Sequence, residues 1–154
     1  MKPLFLLTVF VLAAVPATAA TPYLSDKEIA AQVERDFAAA LDLWRDGRFE
    51  DLYERLSPTS LTRERFVRTL SECSRRPACC WDKLQEVRVK VVGPEDATLQ
   101  ARVGLETAGA TEYATRSFRL ANDGGTWKIP AADVLSLAGR GSATKKLKKG
   151  DRSR

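Results

Sequence analysis

The spacing of apolar residues changes once along this chain, close to Trp81. Upstream of that point, apolar side chains recur every three or four residues, which places them along one side of a helix. Downstream, apolar and polar residues alternate, as they do in strands that bury one face of an antiparallel sheet. Helices followed by a run of strands predict an α+β fold, with the apolar face of the sheet packed on the helices.

Three helices are predicted upstream of this change. Ser25 and Glu28 have the spacing of a capping box, which opens the first helix. Its apolar stripe continues until Gly47, a residue that commonly ends helices because it tolerates a positive φ. The second helix is expected over residues 49–56 and the third over about 62–73.

Four strands are predicted downstream. Turn residues at 93–96, 108–110 and 122–125 separate the alternating segments. The expected strands cover residues 87–91, 97–105, 111–120 and 126–130, and a short helical turn is expected at 132–138. Consecutive strands joined by short turns indicate an antiparallel meander, so the first, longest helix must cover one face of the sheet.

The first residues have the composition of a signal peptide. Lys2 precedes an apolar run over residues 4–15, and residues 17–19 (ATA) form a small-residue cleavage site. The alternative is an uncleaved anchor, but the run is shorter than the roughly 20 residues that a spanning helix needs. We therefore expect a signal peptide at 1–19, an exported protein that is periplasmic or secreted, and one domain at 20–139.

The basic character of the chain is concentrated in residues 140–154, which contain seven Lys or Arg and one acid. Residues 20–139 contain 17 Lys or Arg and 19 Asp or Glu, so the predicted domain is close to neutral. A polar, charged tail of this kind is expected to be disordered. It either attracts anionic lipid, lipopolysaccharide or nucleic acid, or it is a solvated end without a specific partner.

The chain has three cysteines, Cys73, Cys79 and Cys80, and no histidine. An exported protein meets an oxidising compartment, so a disulfide is expected. Neighbouring cysteines pair only with strain, which favours a bridge from Cys73 to Cys79 or Cys80, with Cys73–Cys80 preferred. The absence of histidine and of a fourth cysteine argues against zinc, and no metal or cofactor is predicted.

Known catalytic motifs are missing from the sequence. Without histidine, Ser-His-Asp and Cys-His catalysis are excluded. No glycine-rich phosphate loop follows a strand, and Gly124 and Gly125 fit a hairpin turn instead. These absences favour a non-catalytic function.

Several segments together resemble the nuclear transport factor 2-like superfamily, the cystatin-like α+β cone, in the form of an exported bacterial member. They are residues 47–53 (GRFEDLY), 56–58 (LSP), 117–120 (SFRL) and 124–129 (GGTWKI), and the resemblance extends over about 25–138. It implies a strongly bent sheet that wraps the helices and leaves a pocket at its open end. The family includes isomerases, dehydratases and epoxide hydrolases as well as non-catalytic binding and accessory domains. The active-site patterns of its enzymes do not match this chain residue by residue.

Arg116 interrupts the apolar face of the third predicted strand, and Glu112 has the same parity. An unpaired buried charge is costly, so Arg116 needs a partner. Three interpretations remain: a salt bridge to Asp42 or Glu54, a bulge that turns Arg116 outward, or recognition of an anionic ligand at the cone mouth.

Six aromatic residues either line a cavity or belong to the core: Phe37, Trp44, Tyr53, Trp81, Tyr113 and Trp127. Asp42 or Glu54, near Tyr53, is the candidate for proton transfer on a small apolar substrate. Tyr113 has the opposite parity to the core residues of its strand, so it is expected on the outer face of the sheet, where aromatics can mark a partner surface.

The sequence therefore favours an exported domain without catalysis that binds a small apolar or anionic ligand in the cone, or an envelope protein on the outer sheet face. One alternative is an isomerase, dehydratase or hydrolase that uses a pocket carboxylate and a tyrosine. Another is an envelope-associated protein attached through its basic tail. The pocket candidates are Arg116, Trp44, Tyr53, Phe37, Asp42 and Glu112.

Overall fold

A computed structural model describes residues 24–140. These residues form an α+β fold in which a curled antiparallel sheet, shaped as a half-barrel, packs against the helices. The predicted signal peptide, and the predicted tail after Arg140, lie outside the described residues. Within the described range no helix is long and apolar enough to span a bilayer.

Five helices occur in this range: α1 Asp26–Arg45, α2 Phe49–Tyr53, α3 Arg63–Ser71, α4 Cys80–Lys83 and α5 Ala131–Leu137. The predicted capping box is confirmed, because the side-chain oxygen of Ser25 accepts from the Glu28 amide and Glu28 Oε2 accepts from the Ser25 amide at 2.8 Å. The three upstream helices and the final helical turn are confirmed. The short helix α4 was not predicted.

Five strands form one sheet: β1 Arg76–Pro77, β2 Leu84–Val91, β3 Asp96–Thr107, β4 Ala110–Asp123 and β5 Thr126–Lys128. The central strand β3 pairs with β1 and β2 along one edge and with β4 along the other. β5 pairs with the last residues of β4, and every pairing is antiparallel. The sheet thus contains the four predicted strands and the two-residue β1 in addition.

The core lies between α1 and the concave face of the sheet. The rings of Phe37 on α1 and Phe118 on β4 lie 4.7 Å apart between centroids, and both side chains are buried. Val134 and Leu137 of α5 belong to the same buried cluster, so α5 packs over the open end of the half-barrel. Side chains therefore fill the concave side of the sheet.

A β-bulge interrupts β2 at Glu86. Gln85 pairs with Arg102 and Arg88 pairs with Gln100, so two residues of β2 lie opposite one residue of β3. Glu86 has a φ of 52°, a left-handed conformation that non-glycine residues rarely adopt. Such bulges redirect side chains and often lie beside functional sites.

Candidate functional site

The interior of the half-barrel is closed. Its void has a volume of about 10 Å³. That is the threshold for a single water molecule, and an apolar lining offers such a molecule no hydrogen-bond partners. The lining residues, all apolar, are Phe37, Ala40, Leu41, Trp44, Leu52, Phe118, Ile129, Val134 and Leu137. The pocket candidates Phe37 and Trp44 are thus core residues packed around a small void, with no room for a ligand.

Arg116 lies on the concave face of β4, but it is exposed to solvent. The register of β4 with β3 is continuous through Arg116 and its partner Ala101, so no bulge turns it outward. Its guanidinium donates to the Ser136 hydroxyl on α5 at 2.5 Å. The neighbouring Asp133 is half-buried, and this burial raises the pKa of its carboxyl, an effect that the charge of Arg116 partly opposes.

The predicted salt bridges of Arg116 are wrong. Asp42 accepts two hydrogen bonds from Lys83, at 2.7 and 2.8 Å, and Glu54 pairs with Arg63. Arg116 meets α5 instead of these carboxylates because α5 extends across the mouth of the half-barrel.

The remaining pocket candidates do not converge on one site. The Tyr53 hydroxyl donates to the Leu61 carbonyl at 2.7 Å, and its ring packs against Phe66. Glu112 is exposed and forms an ion pair with Arg75 at 2.6 Å.

Tyr53 and Glu54 do line one surface pocket of about 200 Å³. In that pocket the Tyr53 hydroxyl is already bonded to the Leu61 carbonyl and the Glu54 carboxylate is paired with Arg63, so both groups are engaged within the protein.

The predicted Cys73–Cys80 bridge is also wrong. The structure joins the sulfur atoms of Cys79 and Cys80, and Cys73 is a buried free thiol. Cys73 follows the end of α3, and its Sγ donates to the carbonyl of Thr69 in the last turn of that helix at 3.2 Å. Cys73 is thus directed into the core, whereas Cys80 lies on the exposed side of α4.

The most distinctive surface feature lies on the outer, convex side of the sheet. We call Trp81, Asp82, Glu86, Arg102 and Tyr113 the aromatic corner. Trp81 is 83% exposed and Tyr113 is 41% exposed. The Tyr113 hydroxyl donates to Asp82 Oδ1 at 2.6 Å, and the Arg102 guanidinium lies 4.1 Å from the Tyr113 ring centroid. Arg102 also forms a longer ion pair of 3.6 Å with Glu86.

Gly104 allows α4 to lie directly on this face of the sheet. A Cβ atom at Gly104 would lie 2.1 Å from the Asp82 carbonyl oxygen, so any other residue would displace α4. The Ala78 amide donates to the Gly104 carbonyl at 2.9 Å, and the Cys79 amide donates to Glu106 Oε1 at 3.3 Å. Trp81 is therefore an exposed indole on a segment held at several points.

A groove of about 440 Å³ runs beside Trp81, between α1 and the start of β2. Two of its lining residues, Glu34 and Glu86, carry carboxylates, and none carries a positive charge. The lining residues are Glu34, Trp81, Leu84, Gln85, Glu86 and Val87. We call it the corner groove, and it combines an exposed aromatic ring, apolar side chains and acidic groups.

Three cations lie on the outer face beyond this corner. Arg88 and Lys90 on β2 and Arg119 on β4 are exposed, and Lys90 and Arg119 both lie opposite Thr98 of the strand between them. None of these three cations takes part in an ion pair within residues 24–140. We call them the basic row. The outer face thus has an acidic, aromatic end and a basic end, with Asp96 beside Arg119.

Sequence reasoning placed Tyr113 on the outer face but did not identify Trp81, Asp82 and Arg102 as its neighbours. The expectation that Trp81 lines a cavity or belongs to the core is wrong, because its side chain is exposed on α4. One available signal was Gly104, since a glycine inside a strand often marks a close approach of another backbone segment. No cluster of three or more potential metal ligands occurs among residues 24–140.

No known family model matches this chain, and no curated protein matches it in sequence. The assignment of a function therefore depends on the geometry of the site.

Proposed function

We propose that this chain is an exported, non-catalytic accessory protein that binds a protein partner through its aromatic corner. We also infer that its curled sheet is the cone of the nuclear transport factor 2-like superfamily. The order of helices and strands, the curl of the sheet and the position of α1 in its concavity support that inference. The proposed export depends on the signal peptide expected at residues 1–19.

The exposure of Trp81 is the observation that carries this proposal. The other two tryptophans, Trp44 and Trp127, are each only 1% exposed, whereas Trp81 is 83% exposed. Burying a large aromatic side chain on binding removes apolar surface from water. Tryptophan is also among the residues that most often dominate the energy of protein interfaces.

The rigidity of the corner supports a binding role further. The contacts of Asp82 with Tyr113 and of Gly104 with α4 fix the segment that carries Trp81. A backbone segment that is already ordered loses less conformational freedom on binding, which favours affinity. The closed interior makes the cone a poorer candidate for a ligand site than this surface.

Site-specific photo-cross-linking tests the proposal. A photoreactive phenylalanine analogue replaces Trp81 in one variant and Val92 in the control; Val92 is 66% exposed and follows the opposite end of β2. The variants are irradiated in the cells that produce the protein. We expect a discrete intermolecular adduct from position 81. Excess unlabelled wild-type protein should suppress this adduct, whereas excess Trp81→Ala protein should not. Identical adducts at both positions, or none at position 81, would contradict the proposal.

Attachment to an anionic envelope surface is a second candidate function, which the basic row favours. Exposed cations without ion-pair partners attract anionic surfaces, and this attraction weakens as salt rises. Sedimentation with anionic vesicles, with and without salt, tests it. Binding should fall in the Arg88→Gln, Lys90→Gln, Arg119→Gln triple variant if the row contributes. Loss only on truncation after Ala138 would assign the binding to the tail instead.

A further inference from the structure

We propose that, in the free protein, the chain's own basic segment, residues 141–154, occupies the corner groove. This inference concerns the regulation of the aromatic corner and rests on the proposed function. The segment would hold the groove until a partner displaces it.

The corner groove has the chemistry of a site for lysine or arginine side chains. An ammonium or guanidinium group binds over the face of an exposed tryptophan, and Trp81 offers that face. Glu34 and Glu86 supply two carboxylates beside it, and Glu86 also forms the 3.6 Å ion pair with Arg102. The apolar side chains of Leu84 and Val87 can pack against the methylene stems of such cations.

Residues 141–154 carry a complementary charge. They contain six Lys or Arg and one acid, and residues 145–149 read KKLKK. A leucine between two pairs of lysines matches a groove that has both carboxylates and apolar walls. In contrast, the basic row on the same face would repel this segment, so the groove is the better complement.

The segment begins at the end of the sheet where the aromatic corner lies. Arg140 forms an ion pair with Glu72 at 3.5 Å, and Gly139 lies beside Arg75. Arg75 in turn pairs with Glu112, the neighbour of Tyr113 in the aromatic corner. Residues 145–149 follow Arg140 by five to nine positions, a span of roughly 17–30 Å when extended. That length allows the lysines to pass around the end of the sheet to the groove.

Acrylamide quenching of tryptophan fluorescence tests this proposal on the full chain without its signal peptide. Because Trp44 and Trp127 are buried, quenching reports mainly on Trp81. The first test variant changes the four lysines of residues 145–149 to glutamine. The second test variant changes Glu34 and Glu86 to glutamine. The matched control is the triple glutamine variant of the basic row, which removes positive charges from a different part of the same face.

We expect the quenching constant of Trp81 to rise about twofold or more in both test variants, because the cation no longer covers the indole. High salt should produce the same rise in the wild-type protein, and the basic-row control should behave as wild type. The protection should not depend on protein concentration. Equal quenching in the wild-type protein and the test variants would overturn the proposal. Protection that appears only as concentration rises would also overturn it, since a second copy would then supply the segment.

The two proposals can fail separately. If the intermolecular adduct at position 81 forms but quenching is unchanged, the corner binds a partner and the basic segment does not occupy it. If quenching changes but no intermolecular adduct forms, the segment covers the groove and the proposed partner function is wrong.

Discussion

The Tyr113 hydroxyl donates a hydrogen bond to Asp82 Oδ1 at 2.6 Å, joining residues 31 positions apart in sequence. This contact connects β4 to the short helix α4, which lies on the outer face of the sheet over Gly104. It keeps the segment carrying Trp81 against the sheet. Gly104 and the Tyr113–Asp82 hydrogen bond therefore help to fix the position of the proposed binding surface.

The pKa of Tyr113 should fall when Asp82 is changed to asparagine. The pKa of the Tyr113 phenol is raised above its usual range, mainly because its proton is held in the hydrogen bond to the Asp82 carboxylate. Burial of the phenol and the negative charge of Asp82 raise this pKa further. A neutral amide accepts more weakly and adds no negative charge. Titration followed by the ¹³C resonance of the Tyr113 ring measures the change. The control Asp51→Asn alters an exposed carboxylate paired with Arg48 and should leave this titration unchanged. An unchanged or higher pKa in Asp82→Asn would contradict the assigned contact.

Gly104→Ala should destabilise the protein by about 1–3 kcal/mol, the usual range for forcing extra volume into a packed site. The added Cβ would meet the Asp82 carbonyl oxygen, which is backbone and cannot move without displacing α4. The control Gly93→Ala adds a methyl group that has no atom within 4 Å and should be close to neutral. Urea unfolding measures both free energies of unfolding. Equal values for the two variants would show that α4 does not lie on Gly104.

Phe118→Ala should cost about 3–5 kcal/mol of unfolding free energy, because it removes a fully buried ring from the core. Phe118 is 1% exposed and contacts Phe37 beside the small interior void. The enlarged apolar cavity should bind xenon or benzene, whereas the wild-type interior should bind neither. Thr115→Ala, an exposed change on the same strand, should stay within about 0.5 kcal/mol of wild type. Benzene binding to the wild-type protein would mean that the cone is open.

The pH dependence of stability should change when Asp133 is replaced by asparagine. Burial raises the pKa of the Asp133 carboxyl in the folded protein above the ordinary value of 3.8. The folded state then binds more protons than the unfolded state, so this group's stabilising contribution is complete below pH 3.8 and is lost as pH rises through the folded pKa. The Tm of Asp133→Asn relative to wild type should therefore rise from pH 3 to about pH 7.

Arg116→Ala is the companion variant for this measurement. Arg116 lowers the pKa of Asp133 and partly offsets burial, so its removal should raise that pKa further. The loss of stability with rising pH should then be larger in Arg116→Ala than in wild type. A smaller loss, or none, would mean that the two charges do not interact.

The fold was largely predictable because the side chains that face the core recur at regular spacings in helices and strands. The stripe of α1 and the alternation in β3 each follow from which side chains the core removes from water. The two-residue β1 has no such signal. It exists because Arg76 and Pro77 pair with residues of β3 almost 30 positions away.

The site was less predictable because its features depend on packing between distant segments. The parity of Arg116 was assigned correctly, but its exposure depends on where α5 crosses the sheet. The pairing preference for Cys73 failed because spacing does not reveal that its thiol is directed into the core. Likewise, Trp44 continues the apolar stripe of α1, whereas no periodic pattern around Trp81 indicates whether its side chain is buried or exposed.

The affinity of Trp81→Ala for the partner captured by cross-linking at position 81 tests the central claim most directly. The claim is that the aromatic corner, rather than the interior of the cone, is the binding surface. Calorimetric titration should give a Kd at least about thirtyfold weaker than wild type, as expected for an interface residue worth 2 kcal/mol or more. The Tm should be unchanged, since the Trp81 side chain lies outside the core. An unchanged Kd with the same Tm would contradict the claim.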